Sequence, residues 1–318
     1  MAPDSSPGMP IAPSVLDDCD RLAEAFASAA PFRHVVIDDF FERGFAQTLL
    51  TQFPAFDQGE SRGEDGRPGP KSTNERIRAL GAGYARLDDL VQHPRFLSLV
   101  SQITGIEGLR YDPWYLGGGT HENRDGASLD PHIDFNFHPL ERWHRRLNLI
   151  VYLNPQWQPG WGGALDLYRD PTQDEPPTRS VVPVFNRCVI FETNEHSWHG
   201  FGRITLPAAN QVLTRRSLAL YFYTPPTAAE ATAPDAHSTV YVGRRLPAHL
   251  HAGHVLDEGD MLALQGLVTD KDSRIAMQYD EITRLMTLAR AHERGVAGSV
   301  LYLARKAMAG LRRSRRSG

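Results

Sequence analysis

Cysteine is nearly absent from this chain of 318 residues. Cys19 and Cys188 stand far apart with no metal-binding spacing, which excludes a disulfide framework and a thiolate metal module and fits a reduced, cytoplasmic setting. Long apolar runs are missing too: none approaches the ~18–20 residues needed to cross a bilayer, so no membrane span is expected. The opening decapeptide has no charged segment ahead of an apolar one, and no secretory leader is expected. Neither sign of charge dominates, since the formal net charge is −4, so the composition gives no reason to expect a nucleic-acid partner. No internal repeat stands out. The run Gly117-Gly118-Gly119 lacks the Gly-Lys-Ser/Thr that makes a phosphate loop. What remains is an ordinary globular composition, 41% hydrophobic and 23% charged, long enough for one large domain or two small ones.

Along the chain, residues 1–13 are rich in Pro and Ser and read as a disordered lead. Helical period runs from Ser14 to Ala30, with Ser14 in the N-cap position. A strand is expected within Phe32–Phe41 and helices at 46–52, 87–91 and 94–104. Residues 57–75, dense in Gly, Pro and charge, read as a loop. After Gly108 the pattern turns to short strands parted by Gly, Pro and Asn, around 110–116, 129–135, 146–153, 164–169, 180–182, 187–192 and 213–223. Many short strands without helices between them indicate a sandwich or barrel rather than a βαβ sheet. A linker rich in Ala, Thr and Pro follows Pro226, and helical period returns at 257–293 and 296–312. The expected division is therefore 1–13, a main domain over 14–227, and a linker with a C-terminal helical region over 228–318. The tail carries Arg305, Lys306, Arg312, Arg313, Arg315 and Arg316 and reads as a solvated terminus.

One stretch concentrates the chemistry: Asp130-Pro131-His132-Ile133-Asp134-Phe135-Asn136. Side chains two apart in a strand share a face, so His132 and Asp134 project into one space. With a second imidazole from a distant strand they make a 2-His-1-carboxylate site, a facial set that suits non-heme Fe(II) oxygenases. His-x-Asp alone recurs by chance among 13 His and 38 acidic residues; the order of features around it carries the weight. Downstream come the alternating strand Arg146–Asn154, whose even face holds Arg146, Asn148, Ile150 and Tyr152, and then Trp161-Gly162-Gly163-Ala164-Leu165. Glu195-His196-Ser197-Trp198-His199-Gly200 and Arg215-Arg216-Ser217-Leu218 complete the series.

Taken together, residues 109–224 resemble the 2-oxoglutarate- and Fe(II)-dependent dioxygenases of the prolyl-4-hydroxylase-like branch. The resemblance implies an α+β fold: a double-stranded β-helix, or jelly-roll, core with N-terminal flanking helices and a C-terminal helical extension. It implies His132, Asp134 and His199 as catalytic metal ligands, with His196 as the rival for the last and Gly200 favouring His199. It implies Arg215 as the grip on the distal carboxylate of 2-oxoglutarate, by Arg-x-Ser spacing, over its neighbour Arg216, which points to the opposite face. A guanidinium matches a carboxylate bidentately, which suits Arg to the task. Tyr152 matches a tyrosine that donates its hydroxyl to the same carboxylate, with a core aromatic as the other reading. Asn148 shares that inward face, where a cosubstrate contact and a structural hydrogen bond both stand open. The implied cofactors are Fe(II), 2-oxoglutarate and O2, with ascorbate as a reductant. The implied reaction is hydroxylation of an unactivated C–H in a small-molecule, amino-acid or peptidyl substrate, with release of succinate and CO2. The carboxylate at Asp134 disfavours halogenation, for which related enzymes leave room for a halide there.

Two other readings compete: a cupin-like isomerase or hydrolase holding Zn²⁺ on the same ligands, which gives Arg215 no task, and a non-catalytic jelly-roll binding module. Among the remaining histidines, His121 reads as a loop hydrogen-bonder, with a place on the substrate side as the other reading, and His138 and His144 read as surface residues. His249, His251 and His254 cluster past Pro247 but lack a matching carboxylate array. Trp114, Tyr115, Phe135, Phe137 and Trp143 flank the presumed mouth and read mainly as packing.

Overall fold

A computed structural model describes residues 8–59, 70–173, 176–227, 236–242, 246, 249–269, 271–272, 275–276 and 278–279. The helices expected beyond 280 and the basic tail lie outside the described residues. The chain divides into two compact units, residues 1–63 with 67–244 and residues 64–66 with 245–318. Among the described residues no helix is long and apolar enough to cross a membrane.

The first unit opens with α1 (Pro13–Asp17) and α2 (Cys19–Ser28), followed by β1 (His34–Ile37) and α3 (Arg43–Thr51). Next come β2 (Lys71–Asn74), α4 (Ala82–Val91) and α5 (Pro94–Thr104). The strands continue as β3 (Arg110–Tyr111), β4 (Gly119–Asn123), β5 (Leu129–Ile133), β6 (His144–Tyr152) and β7 (Leu165–Tyr168). They end with β8 (Arg179–Val181), β9 (Cys188–Glu192), β10 (Trp198–Phe201), β11 (Arg215–Thr224) and β12 (Val240–Tyr241). All pairings are antiparallel. One sheet runs β1-β9-β6-β11-β4-β2 with β3 on β11, and the other runs β12-β5-β10-β7-β8.

Period-2 alternation assigns the faces of the larger sheet. Leu147, Leu149 and Val151 of β6, Cys188 and Ile190 of β9, and Leu218, Leu220 and Phe222 of β11 join one buried cluster with the helical residues Phe26, Leu49, Leu87, Phe96 and Ile103. The alternate residues Tyr152, Val189 and Phe191 instead join Leu165, Leu167 and Val181 of the smaller sheet. The larger sheet therefore carries helices on one face and the second sheet on the other, which makes the space between the sheets the place for a site. The helices follow their sequence signals. Pro94 opens α5 behind His93, whose ring accepts from Arg95 N–H, and Gly105 closes it in the left-handed region at φ 69°.

Differences from the sequence reading have local causes. The helix expected from Ser14 to Ala30 is two helices, and Pro13 rather than a Ser14 cap begins the first. Within the expected loop 57–75 lies β2, and Gly119–Asn123 forms β4. Both are too polar to advertise a strand, yet each is paired along its whole length, β4 with β11 as well. His138 is fully buried rather than on the surface. Its ring sits 3.3 Å from Asp112 Oδ1 and accepts from the backbone N–H groups of Leu140 and Glu141. His144 is half-buried at the head of β6 and stacks on Phe137.

Candidate active site

β5 and β10 are neighbours in the smaller sheet, and their register sets His132 directly opposite His199. The two rings lie 4.3 Å apart. Asp134, two residues past His132, brings Oδ1 to 3.8 Å from His132 Nε2 and Oδ2 to 3.5 Å from His199 Nε2. The chain can hold the strands this close because position 200 is glycine. A Cβ there would lie 2.6 Å from Leu129 O and 3.0 Å from Asp130 C, both backbone. His196, the rival, is exposed on the preceding turn.

Each imidazole is oriented by its own strand. His132 Nδ1 lies 2.9 Å from Asp130 O, and His199 Nδ1 lies 2.9 Å from Ser197 O. A carbonyl only accepts, so each Nδ1 carries the proton and each Nε2 presents a lone pair to the shared space. Burial pushes both imidazoles below their usual range, and for His132 the neighbouring His199 adds to the effect. Burial alone would raise the Asp134 carboxyl. The Arg145 guanidinium, the two imidazoles and the Asn148 amide outweigh it and hold Asp134 well below the usual carboxylate range. The result is a buried, ionised carboxylate facing two neutral imidazoles.

The larger sheet faces this trio with Asn148, Tyr152 and Arg215. Asn148 donates to Asp134 Oδ2 at 2.8 Å and accepts at Oδ1 from Arg145 Nε and Nη2. Its amide is thus engaged with the carboxylate ligand and its counter-charge. Arg145 was not legible as a site residue. Strict alternation puts Arg146 inward, but the β6/β11 register shifts between Phe222 and Tyr223, a bulge that exchanges the two arginines. Arg145 is 1% exposed, 3.3 Å from Asp134, and packed on the Tyr221 and Phe135 rings. Arg146 turns away to donate to Thr224 Oγ1.

Arg215 is buried at the start of β11. It donates through Nε to Gly163 O at 2.6 Å and through Nη2 to Tyr152 Oη at 3.3 Å, with Phe201 beneath its guanidinium. Gly163 makes room for it: the residue sits at φ 68°, and a Cβ would lie 3.0 Å from Arg215 Cδ. No carboxylate lies within ion-pair distance of Arg215 among the described residues. Burial pulls its pKa below the ordinary value, opposed by Tyr152 and by the more distant Asp166 carboxylate. Arg216 faces the other way, toward Glu122 and Phe53. His121 is on β4 rather than in a loop and approaches Gly118 O at 3.3 Å. Burial and nearby Lys71 push it down to about 3. Tyr241 of β12, another residue missed in the sequence, packs its ring 5.1 Å from that of His132.

Two buried neutral imidazoles, one buried carboxylate and an unpaired guanidinium across the gap define a class. Residues 118–223, one third of the chain, match the family model of the 2OG-Fe(II) oxygenase superfamily. The chain is similar to prolyl 3-hydroxylase OGFOD1 of Mus musculus, 30% identical over 113 residues, which covers 31% of this chain and 20% of the relative. It is also similar to that of Xenopus laevis, 42% identical over 64 residues, which covers 20% of this chain and 12% of the relative. The chain thus spans a fifth or less of the curated relatives it matches. Among solved structures, a Trichoplax adhaerens prolyl hydroxylase in complex with a hypoxia inducible factor peptide superposes with a TM-score of 0.46 at 16% identity. That superposition covers 67% of this chain and 93% of that one.

Proposed function

We propose that this chain is an Fe(II)- and 2-oxoglutarate-dependent dioxygenase that hydroxylates a C–H of a small-molecule or peptidyl substrate, and that its two facing sheets are the halves of a jelly-roll. The observation that carries the reading is the joint presence of the His132/Asp134/His199 trio on one sheet and unpaired Arg215 on the other. A Zn²⁺ hydrolase or isomerase would need the trio and leave a buried guanidinium without a task. In this proposal residues 14–227 carry the chemistry and 228–318 form an extension.

The donor set suits iron: two imidazole nitrogens and one carboxylate on one side of a centre leave the other side open. When bound, iron with 2-oxoglutarate and O2 supplies the oxidising power, yielding succinate and CO2. The protein's share is positional. His132 and His199 offer fixed Nε2 lone pairs, and Asn148 and Arg145 hold Asp134 in orientation. Arg215, steadied by Gly163 O, receives the distal carboxylate of 2-oxoglutarate, and the Tyr152 hydroxyl beside it donates to the same group. Phe191, Phe201 and Leu167 keep the space between the sheets dry. Because the matched relatives are prolyl 3-hydroxylases, a prolyl peptide is the first substrate to offer.

The test is uncoupled turnover. Protein supplied with Fe(II), ascorbate and 2-oxoglutarate should release succinate slowly without substrate, and Asp134→Ala should abolish it. Arg215→Ala should raise the 2-oxoglutarate requirement roughly ten- to a hundredfold, the value of a charge-assisted contact of about 1.5–3 kcal/mol. Succinate release that ignores Arg215 would move the cosubstrate elsewhere, and none from iron-loaded wild type would favour the zinc reading.

A further inference from the structure

In the second unit the described residues carry an unusual buried group. Its described residues include Leu246, Val255, Leu256, Met261, Leu262, Val268 and Ile275, all exposed. The one buried residue among them is an acid, Asp260. Two imidazoles account for that burial. His249 Nε2 lies 2.7 Å from Asp260 Oδ1, and His254 Nε2 lies 2.7 Å from Asp260 Oδ2. The segment that brings them together is the short turn His249-Leu250-His251-Ala252-Gly253-His254. It closes with His254 N–H donating to His251 O and passes through Gly253 at φ 88°. Asp260 stands on the first turn of the helix over 258–269 and is pinned there by a reciprocal pair. Its backbone N–H donates to Asp257 Oδ1, and its Oδ2 accepts from Asp257 N–H. The carboxylate missing from the sequence cluster is therefore supplied six residues on, by the helix start.

We propose that His249, His254 and Asp260 form a second, structural metal site, selective for Zn²⁺, that staples the turn at 249–254 to the helix that follows. One donor atom from each residue lies within 4.8 Å of the others. Two imidazoles and one carboxylate are the borderline N/O donors that zinc takes in tetrahedral sites, with water or the neighbouring His251 completing the set. His251 Nδ1 is turned to Ala252 O, which leaves its Nε2 as a lone-pair donor, and its ring lies 5.9 Å from that of His254. Ligands about 2.0–2.1 Å from tetrahedral zinc lie roughly 3.3 Å from each other, so the ion needs the present 2.7 Å contacts to open by about half an ångström. The side chains can give that much, since His249 is 59% and His254 29% exposed. Each imidazole would then bind through an unprotonated Nε2 with its one proton on Nδ1, any second proton passing to solvent, as metal binding requires of a neutral ring. The physical motive is the unit itself. Among its described residues the buried group is the charged Asp260 rather than an apolar side chain, and a bound cation would compensate that charge while tying the turn to the helix.

The two clusters share no residue, so the test separates them. Full-length Asp134→Ala/His199→Ala protein, with the first site disabled, is titrated with Zn²⁺ against a chromophoric chelator. One equivalent should still bind, and adding His254→Gln or Asp260→Asn should weaken it at least a hundredfold. The asparagine can still accept from Asp257 N–H, so the cap survives while the charge goes. Should the first-site variant misfold, Co²⁺ replaces it as the probe of the wild-type chain. Two spectral classes should appear, and His254→Gln should remove only the intense tetrahedral band. Zinc should also slow protease cleavage within 245–280. A first-site variant that binds no zinc, or zinc binding and proteolysis indifferent to both His254→Gln and Asp260→Asn, would leave a hydrogen-bonded His-Asp-His cap and overturn the proposal. Neither result depends on succinate release, so the oxygenase reading stands or falls separately.

Discussion

Arg145 shows how one buried charge can govern a site it never completes. It neutralises Asp134, and its cation is packed between aromatic rings that exclude water. Removing one member of a buried pair leaves the other uncompensated, at a loss of about 3–5 kcal/mol. Arg145→Met should therefore destabilise the metal-free chain by about that much in urea melts. A divalent ion bound to the trio would take over the neutralisation, so the loss should shrink when metal is present. An equal loss in both states would assign Arg145 to packing against Tyr221 alone. Residue-scale legibility follows the same division. His132, Asp134, His199, Arg215 and Tyr152 could be singled out because fixed spacings carry them, and the fold brings the first three together. Arg145 was not, because a bulge rewrites the period that assigns its face. His138 was not either, because its partner Asp112 is distant in sequence and nothing near it signals burial.

Among the elements, the β5/β10 pair is the most demanding. Its two imidazoles meet only if the strands approach to backbone contact at Gly200. Gly200→Ala should force the strands apart or shift their pairing. The expected result is loss of metal binding by calorimetry at least tenfold, with the far-ultraviolet spectrum retained. An unchanged affinity would show that the strands tolerate the methyl. The helical layer answers to a different rule. Phe96 of α5 is fully buried and packs 6.2 Å from Phe222 of β11. Phe96→Ala should lower stability by about 3–5 kcal/mol through the cavity it leaves, while metal affinity stays near wild type. The helix at 94–104, the second half of α4 (87–91 of Ala82–Val91) and most strands could be read from periodicity. β2, β4 and β12 could not, since they are short or polar and exist because a partner strand completes their hydrogen bonds.

For the whole molecule, acid is the natural stress. Outside the His132/Asp134/His199 trio, His34 is buried and His121 half-buried, and loss of solvent depresses both, with nearby Arg179 and Lys71 respectively opposing the charged form. In the unfolded chain they take up protons near pH 6.5, before the folded chain does. Stability is therefore full above about pH 6.5 and falls as pH drops toward their folded values, by up to about 1.4 kcal/mol per pH unit for each. Urea melts between pH 7.5 and 4.5 should show this slope, and His121→Gln should flatten it. A slope unaltered by that substitution would give the acid sensitivity to other groups.

In the proposed site His132, Asp134 and His199 belong to one sheet and Arg215 to the other, and Leu165, Leu167, Val181, Val189 and Phe191 form a single buried cluster that joins the two sheets. On the proposed reading, the filling of that seam would act as a spacer that sets how far a diacid must reach from metal to guanidinium. Trimming Leu167 or Val189 would thus retune which keto acids fit, by length alone, with every polar contact left intact.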